Sequence, residues 1–326
     1  MTPLLDVRDL RVQVPSAFGP VTLVDGVDYS VFPGQVFGIA GESGSGKTIS
    51  ALALIGLTPG DATIGGTAMF GESGDLLRLS KARLRAIRGR DVAMVFQDPM
   101  TCFHPMMTIE RQLTEHVLHH LHLSRRDARD RAIELLNEVR IPDPVGALRS
   151  YPHQFSGGMR QRIAIAMALI GQPRLLIADE PTTALDVTVQ AGILRLIDRL
   201  RERFNLSVIL ITHDLGVMSA IADRLSILYC GRVVESGPAG EVLRHPRHPY
   251  TAGLLASVPH PESPGGVPLV PIKGSAPSPR HRPTGCAFHP RCPHSVVACA
   301  GEPPALIRVE GQRMLACPVD PHGQFT

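Results

Sequence analysis

The chain has 326 residues, with 33 Lys and Arg against 30 Asp and Glu and a net charge of +3. That excess is too small for a nucleic-acid binder, which carries a concentrated basic patch, whereas a 44% hydrophobic content is enough for a packed core. The stretch from Met1 to Asp9 is charged too early for a signal peptide, and apolar runs such as Ile163 to Ile170 are too short to cross a bilayer. The expectation is an intracellular chain that serves any membrane process through partners.

Leu5 to Val14 alternates apolar with charged residues, the pattern of a half-buried strand, and Leu23 to Val31 reads as a second. After the Pro33-Gly34 turn, Val36 to Ala40 is a short buried strand running into a Gly-rich loop. A helix is predicted from Thr48 to Leu57, stopped by Pro59-Gly60, and a strand from Val92 to Phe96. Thr108 to Val139 is helical and charged, ended by Pro142 and Pro144. Gly157-Gly158 precede a helix from Met159 to Ile170. The apolar strand Leu175 to Ala178, a helix from Val189 to Phe204 and a strand from Val208 to Thr212 follow. Strands alternating with helices predict a mainly parallel α/β sheet. The helical insert between Phe96 and Leu175 reads as a lobe of its own. Prolines crowd the chain past Gly237, so a boundary is expected between 1–237 and 238–326, with no long regular elements in the second part.

Gly41-Glu42-Ser43-Gly44-Ser45-Gly46-Lys47-Thr48 fits G-x-x-x-x-G-K-[ST] between a predicted strand and a predicted helix. Gly41, Ser43, Gly44, Ser45 and Gly46 let backbone N–H groups curl around phosphate oxygens, and the helix N-terminus adds positive potential. Lys47 would reach the β- and γ-phosphates of ATP, and Thr48 would bind Mg²⁺. A Gly-rich turn that binds nothing is the bland alternative, and the strand–loop–helix context argues against it. Leu175 to Glu180 is an apolar strand ending in two carboxylates. An isolated Asp-Glu pair is usually a helix cap. Downstream of a phosphate loop, Asp179 is placed for Mg²⁺ and Glu180 for polarising the attacking water.

Phe155-Ser156-Gly157-Gly158-Met159-Arg160-Gln161-Arg162 resembles the signature motif of ABC ATPases, with Phe and Met in place of Leu and Gln. In family order, Gln97 resembles the glutamine that senses Mg²⁺ and the attacking water. Ala184-Leu185-Asp186 resembles the D-loop, His213 the switch histidine, and Phe18 the aromatic that stacks on adenine. Gln97 to Thr101, Pro181 to Gln190 and His248-Pro249-Tyr250-Thr251 look like the dipeptide/oligopeptide/nickel importer subgroup, from which Cys102-Phe103-His104-Pro105 departs. The resemblance implies a P-loop NTPase fold of the ABC nucleotide-binding type, with an N-terminal β-subdomain, a helical lobe at about 100–171 and a Pro-rich C-terminal extension. It implies ATP hydrolysis coupled to uptake of short peptides, with nickel or another small cargo as the alternative. Ser156, Gly157 and Gly158 would cap the γ-phosphate held by the opposite subunit. Implied partners are a second ABC ATPase subunit in a heterodimer, two membrane permease subunits and an extracytoplasmic substrate-binding protein, with no nucleic acid. The place of action would be the cytoplasmic face of a bacterial membrane. A soluble ABC ATPase of DNA repair or translation is the rival, but it would carry a coiled-coil insert or a second nucleotide domain.

His116, His119, His120 and His122 share helical spacing but lack a completing carboxylate or Cys set, and read as a solvated face. Cys286, Cys292, Cys299 and Cys317 supply four thiols in the Pro-rich tail. Members of the resembled subgroup with matching cysteines hold an iron–sulfur cluster. The expectation is therefore a 4Fe–4S cluster, with zinc or unligated thiols as alternatives.

Overall fold

A computed structural model describes residues 2–183, 185–257 and 271–319. Ala184, and the prolines expected to break the chain between 259 and 268, lie outside them. The chain divides into two compact units: Met1–Val31, Val36–Arg78 and Thr212–Thr326 form the first, and Phe32–Gln35 with Leu79–Ile211 the second.

The first unit opens with an antiparallel sheet ordered Val21–Val31, Leu5–Val14, Thr63–Phe70, Gly74–Asp75. The predicted alternation of the first strand changes phase midway: Leu5 and Val7 are buried, and then Leu10 and Val12. A bulge between Arg8 and Arg11 causes this, with Asp9 at φ 48°. Gly66 faces it, where a Cβ would meet the Asp9 carbonyl oxygen at 2.3 Å. The buried strand Val36–Ala40 pairs in parallel with Arg224–Tyr229. Arg224–Tyr229 continues antiparallel into Arg232–Pro238, then Arg313–Leu315 and Ile307–Glu310.

The tail thus contributes two strands that the sequence reading did not foresee. Prolines leave room for short elements, and Pro249 opens the helix Pro249–Ala256, where its missing N–H costs nothing. Among the described residues, the interactions that hold the tail include the following. Glu235, fully buried, accepts from Arg313 Nε at 3.1 Å and from the N–H groups of Arg247 and His248 at 3.0 and 3.1 Å. Tyr229, Tyr250 and Phe288 pack their rings with centroids 4.6–5.3 Å apart. Arg282 donates to Asp25 at 2.8 Å.

The second unit carries the parallel strands Val92–Val95 and Leu175–Asp179 and the strand Ser207–Thr212 up to Ile211, the latter two buried along their length. The single helical stretch expected from Thr108 to Val139 is two helices, Ile109–His120 and Arg125–Glu138. His122 takes φ 51° between them, and Ser124 caps the second by accepting from the Asp127 N–H at 3.1 Å. The second unit also holds the helices Gly157–Leu169 and Val187–Phe204.

Candidate functional site

In the first unit, the strand Val36–Ala40 delivers the chain into the Gly41–Thr48 loop, and the eight-residue helix Lys47–Leu54 leaves it. Two glycines are obligatory there. Gly41 sits at φ 150°, where a Cβ would lie 2.2 Å from the Leu228 carbonyl oxygen. Gly46 sits at φ 101°, where one would lie 2.8 Å from that of Leu23. Lys47 is buried and folds its ammonium back onto the Gly41 and Glu42 carbonyl oxygens at 2.7 and 2.8 Å. Among the described residues, Ser45 Oγ is buried and has no hydrogen-bond partner. A curled backbone, an inward cation and an orphaned hydroxyl suit a bound polyphosphate.

Phe18 is 90% exposed, with the Arg280 guanidinium 5.9 Å from its ring centroid. Both line a cleft of about 560 Å³ with His281 and Arg282. His213, also in this unit, follows the strand Ser207–Thr212 and is exposed.

In the second unit, Asp179 ends its strand almost fully buried. Glu180 turns sharply at φ 46°, its N–H held by the Ile211 carbonyl at 2.8 Å. Its Oε2 accepts from Gln97 Nε2 at 3.1 Å and from Thr183 Oγ1 at 2.8 Å. The structure therefore brings Gln97 and Glu180 together and adds Thr183, which the sequence reading passed over. Its position three residues after Glu180 was the available signal. Ser156 caps the helix Gly157–Leu169, its Oγ accepting from the Met159 N–H at 3.4 Å, and remains exposed. Gly158 lies against Val189, with room for no side chain: a Cβ would approach Val189 Cγ1 to 2.8 Å. Asp186 is exposed and caps the helix Val187–Phe204, accepting from the Val189 N–H at 2.9 Å.

The metal expectation for the tail is overturned. Among the described residues, no group of three or more His, Cys, Asp or Glu side chains is placed to hold a metal ion. Cys286, Cys292, Cys299 and Cys317 are free thiols, so neither the 4Fe–4S cluster nor zinc stands. Burial favours the neutral thiol, pushing Cys317 up to about 12 and raising Cys286 and Cys292 as well. Cys317 Sγ donates to the Val319 carbonyl at 2.8 Å, and the Cys286 N–H to the Cys299 carbonyl at 2.8 Å. The buried ion pair, the aromatic cluster and the added strands order this segment instead.

A buried strand, a glycine-cradled loop with an inward lysine, and a strand-end Asp-Glu pair define a P-loop ATPase cassette. Residues 24–183 match the ABC transporter family, and residues 234–299 match the oligopeptide/dipeptide transporter C-terminal region. The oligopeptide transport ATP-binding protein OppD of Salmonella typhimurium is 45% identical over 314 residues, 96% of this chain and 93% of that protein. The dipeptide transport ATP-binding protein DppD of Bacillus subtilis is 46% identical over 300 residues, 92% and 89% of the two chains. A dimeric ATP-binding cassette solved in a post-hydrolysis state with ADP and phosphate matches with a TM-score of 0.64 at 25% identity. That match covers 72% of this chain and 98% of the other. The chain belongs to the ABC transporter ATP-binding family and is an ABC-type ATPase.

Proposed function

We propose that this chain is the ATP-hydrolysing subunit of an importer for short peptides, acting at the cytoplasmic face of a membrane. The observation that carries the reading is one chain joining the phosphate loop to a region of the oligopeptide/dipeptide transporter type at 234–299. Among the described residues no helix is long and apolar enough to cross a membrane; in this reading translocation falls to separate permease subunits, as in a peptide importer. An extracytoplasmic binding protein would deliver the cargo.

In this reading Lys47 and the loop N–H groups bind the triphosphate, and Phe18 stacks on adenine. Thr48 and Asp179 are the groups that would hold Mg²⁺, which when bound offsets phosphate charge. Glu180, held by Gln97, polarises the attacking water, and His213 contacts the γ-phosphate. Ser156, Gly157, Gly158 and Asp186 serve the site of an opposing ATPase subunit, which in this branch is a related second chain. Dimeric solved relatives support the pairing.

Affinity capture of the tagged full-length chain from its own cells, followed by reconstitution of the captured assembly, tests the proposal. Two permease subunits and a second ATPase should co-purify, and ATP-dependent uptake of labelled di- or oligopeptides should stop in K47A. An assembly that moves nickel and no peptide would replace the cargo. Capture without any membrane subunit would overturn the transport role.

A further inference from the structure

Glu42, the second residue of the phosphate loop, has its polar groups committed within the first unit. Its N–H donates to Tyr250 Oη at 2.8 Å and its carbonyl accepts from Lys47 Nζ at 2.8 Å. Its carboxylate receives a fork from Arg291, Nη1 at 2.6 Å and Nη2 at 3.0 Å. Arg291 lies 249 residues further on, in the tail, with a side chain only 7% exposed. Its remaining donors are also used: Nε reaches the Lys273 carbonyl at 2.9 Å, Nη2 the Gly274 carbonyl at 3.2 Å, and Nη1 Tyr229 Oη at 3.2 Å. The guanidinium also lies 5.9 Å from the ring centroids of Tyr229 and Phe288. Its orientation is therefore set by the tail before it meets the loop.

A carboxylate is an unexpected side chain in a loop that receives a polyphosphate. Like charges repel, and in a half-buried setting the repulsion is weakly screened. The backbone contacts of residue 42 would be met equally well by a neutral side chain. We propose that Arg291 acts on the phosphate loop through charge: it neutralises the Glu42 carboxylate, so that the C-terminal segment sets the affinity for the triphosphate of Mg·ATP. The inference rests on reading Gly41–Thr48 as the triphosphate site.

The test is Mg·ATP titration by calorimetry on the full-length chain and its variants. R291A should weaken binding roughly three- to tenfold, with the defect shrinking as salt is raised. E42Q placed in the R291A background should restore the affinity, because the uncompensated charge is gone. If Arg291 served only as a brace, the double variant would stay as weak as R291A, and the proposal would fall. E42Q alone, which leaves Arg291 unopposed beside the phosphates, should bind more tightly; unchanged or weaker binding would also overturn it, even if R291A does not fold. K47A separates the two levels. Weak binding by K47A with normal binding by R291A refutes the role of Arg291 alone. Normal binding by K47A refutes the phosphate-loop reading and this inference with it.

Discussion

Gln97 Nε2 donates to Glu180 Oε2 at 3.1 Å, joining residues 83 positions apart. Thr183 Oγ1 donates to the same oxygen at 2.8 Å. Two donors on one carboxylate oxygen, and a backbone N–H anchored on Ile211, fix where the carboxylate points. Glu180 holds this orientation from a left-handed backbone at φ 46°, a conformation that non-glycine residues adopt at a cost. Such an outlier is expected where a side chain must be aimed.

Glu180→Gln keeps the size of the side chain and removes the proposed base. Mg·ATP should still bind, while phosphate release in the assembled transporter falls by about 100-fold or more, in the range general-base catalysis supplies. Equal turnover in wild type and variant would remove Glu180 from the role of base.

Thr183→Val removes one of the two donors without changing volume much. Gln97 Nε2 remains as a donor to the carboxylate. We expect kcat to drop several-fold with KM for ATP unchanged, because the interaction acts on the proposed base and not on nucleotide binding. A rise in KM with constant kcat would place Thr183 in binding instead.

The Glu235–Arg313 pair ties the tail to the strand Arg232–Pro238 within the first unit, with Glu235 fully buried and the Arg313 side chain 5% exposed. Arg313→Ala strands a buried carboxylate and should cost about 3–5 kcal/mol in denaturant unfolding. Replacing both partners by apolar residues, E235L with R313M, should cost far less, since no unpaired charge remains. Similar losses in the single and double variants would mean that packing, not charge, dominates there.

His248 is fully buried, and burial lowers its imidazole to about 3. Its Nδ1 accepts from the Tyr250 N–H at 3.0 Å, which requires a neutral ring. The unfolded chain binds a proton near the ordinary value of about 6.5, and the folded chain does not. Stability is therefore fully present above about 6.5 and declines as pH falls toward 3, by up to about 1.4 kcal/mol per pH unit from this residue. H248N retains an acceptor for the Tyr250 N–H and removes the titration. The slope of unfolding free energy against pH between 6.5 and 4 should be shallower in the variant; parallel slopes would show that other groups govern acid sensitivity.

The residues most legible in the sequence were those whose chemistry is local. Gly41 to Thr48 is contiguous, and its strand and helix neighbours appear where the apolar pattern places them. Ser156 and Asp186, expected to contact nucleotide, cap helices in the structure, a role their positions before Gly157 and Val187 encode. The break at His122 was missed because the charged helical pattern runs on across it. The phase change at Asp9 was missed because a bulge is decided jointly with the partner strand carrying Gly66.

The sequence by itself determined the family, the phosphate loop and the order of the motifs, because each depends on residues a few positions apart whose spacing fixes their geometry. The tertiary structure alone decided how the tail is held and what it touches. Four cysteines spaced along a Pro-rich segment suggested a metal, yet spacing in irregular chain does not constrain where thiols point, and the described residues place no metal-holding group there. Glu42 with Arg291 and Glu235 with Arg313 are separated by 249 and 78 residues. Charge pairs at such separations leave no periodic trace in a sequence; they form because the folded backbone excludes water around a carboxylate and brings a guanidinium to it.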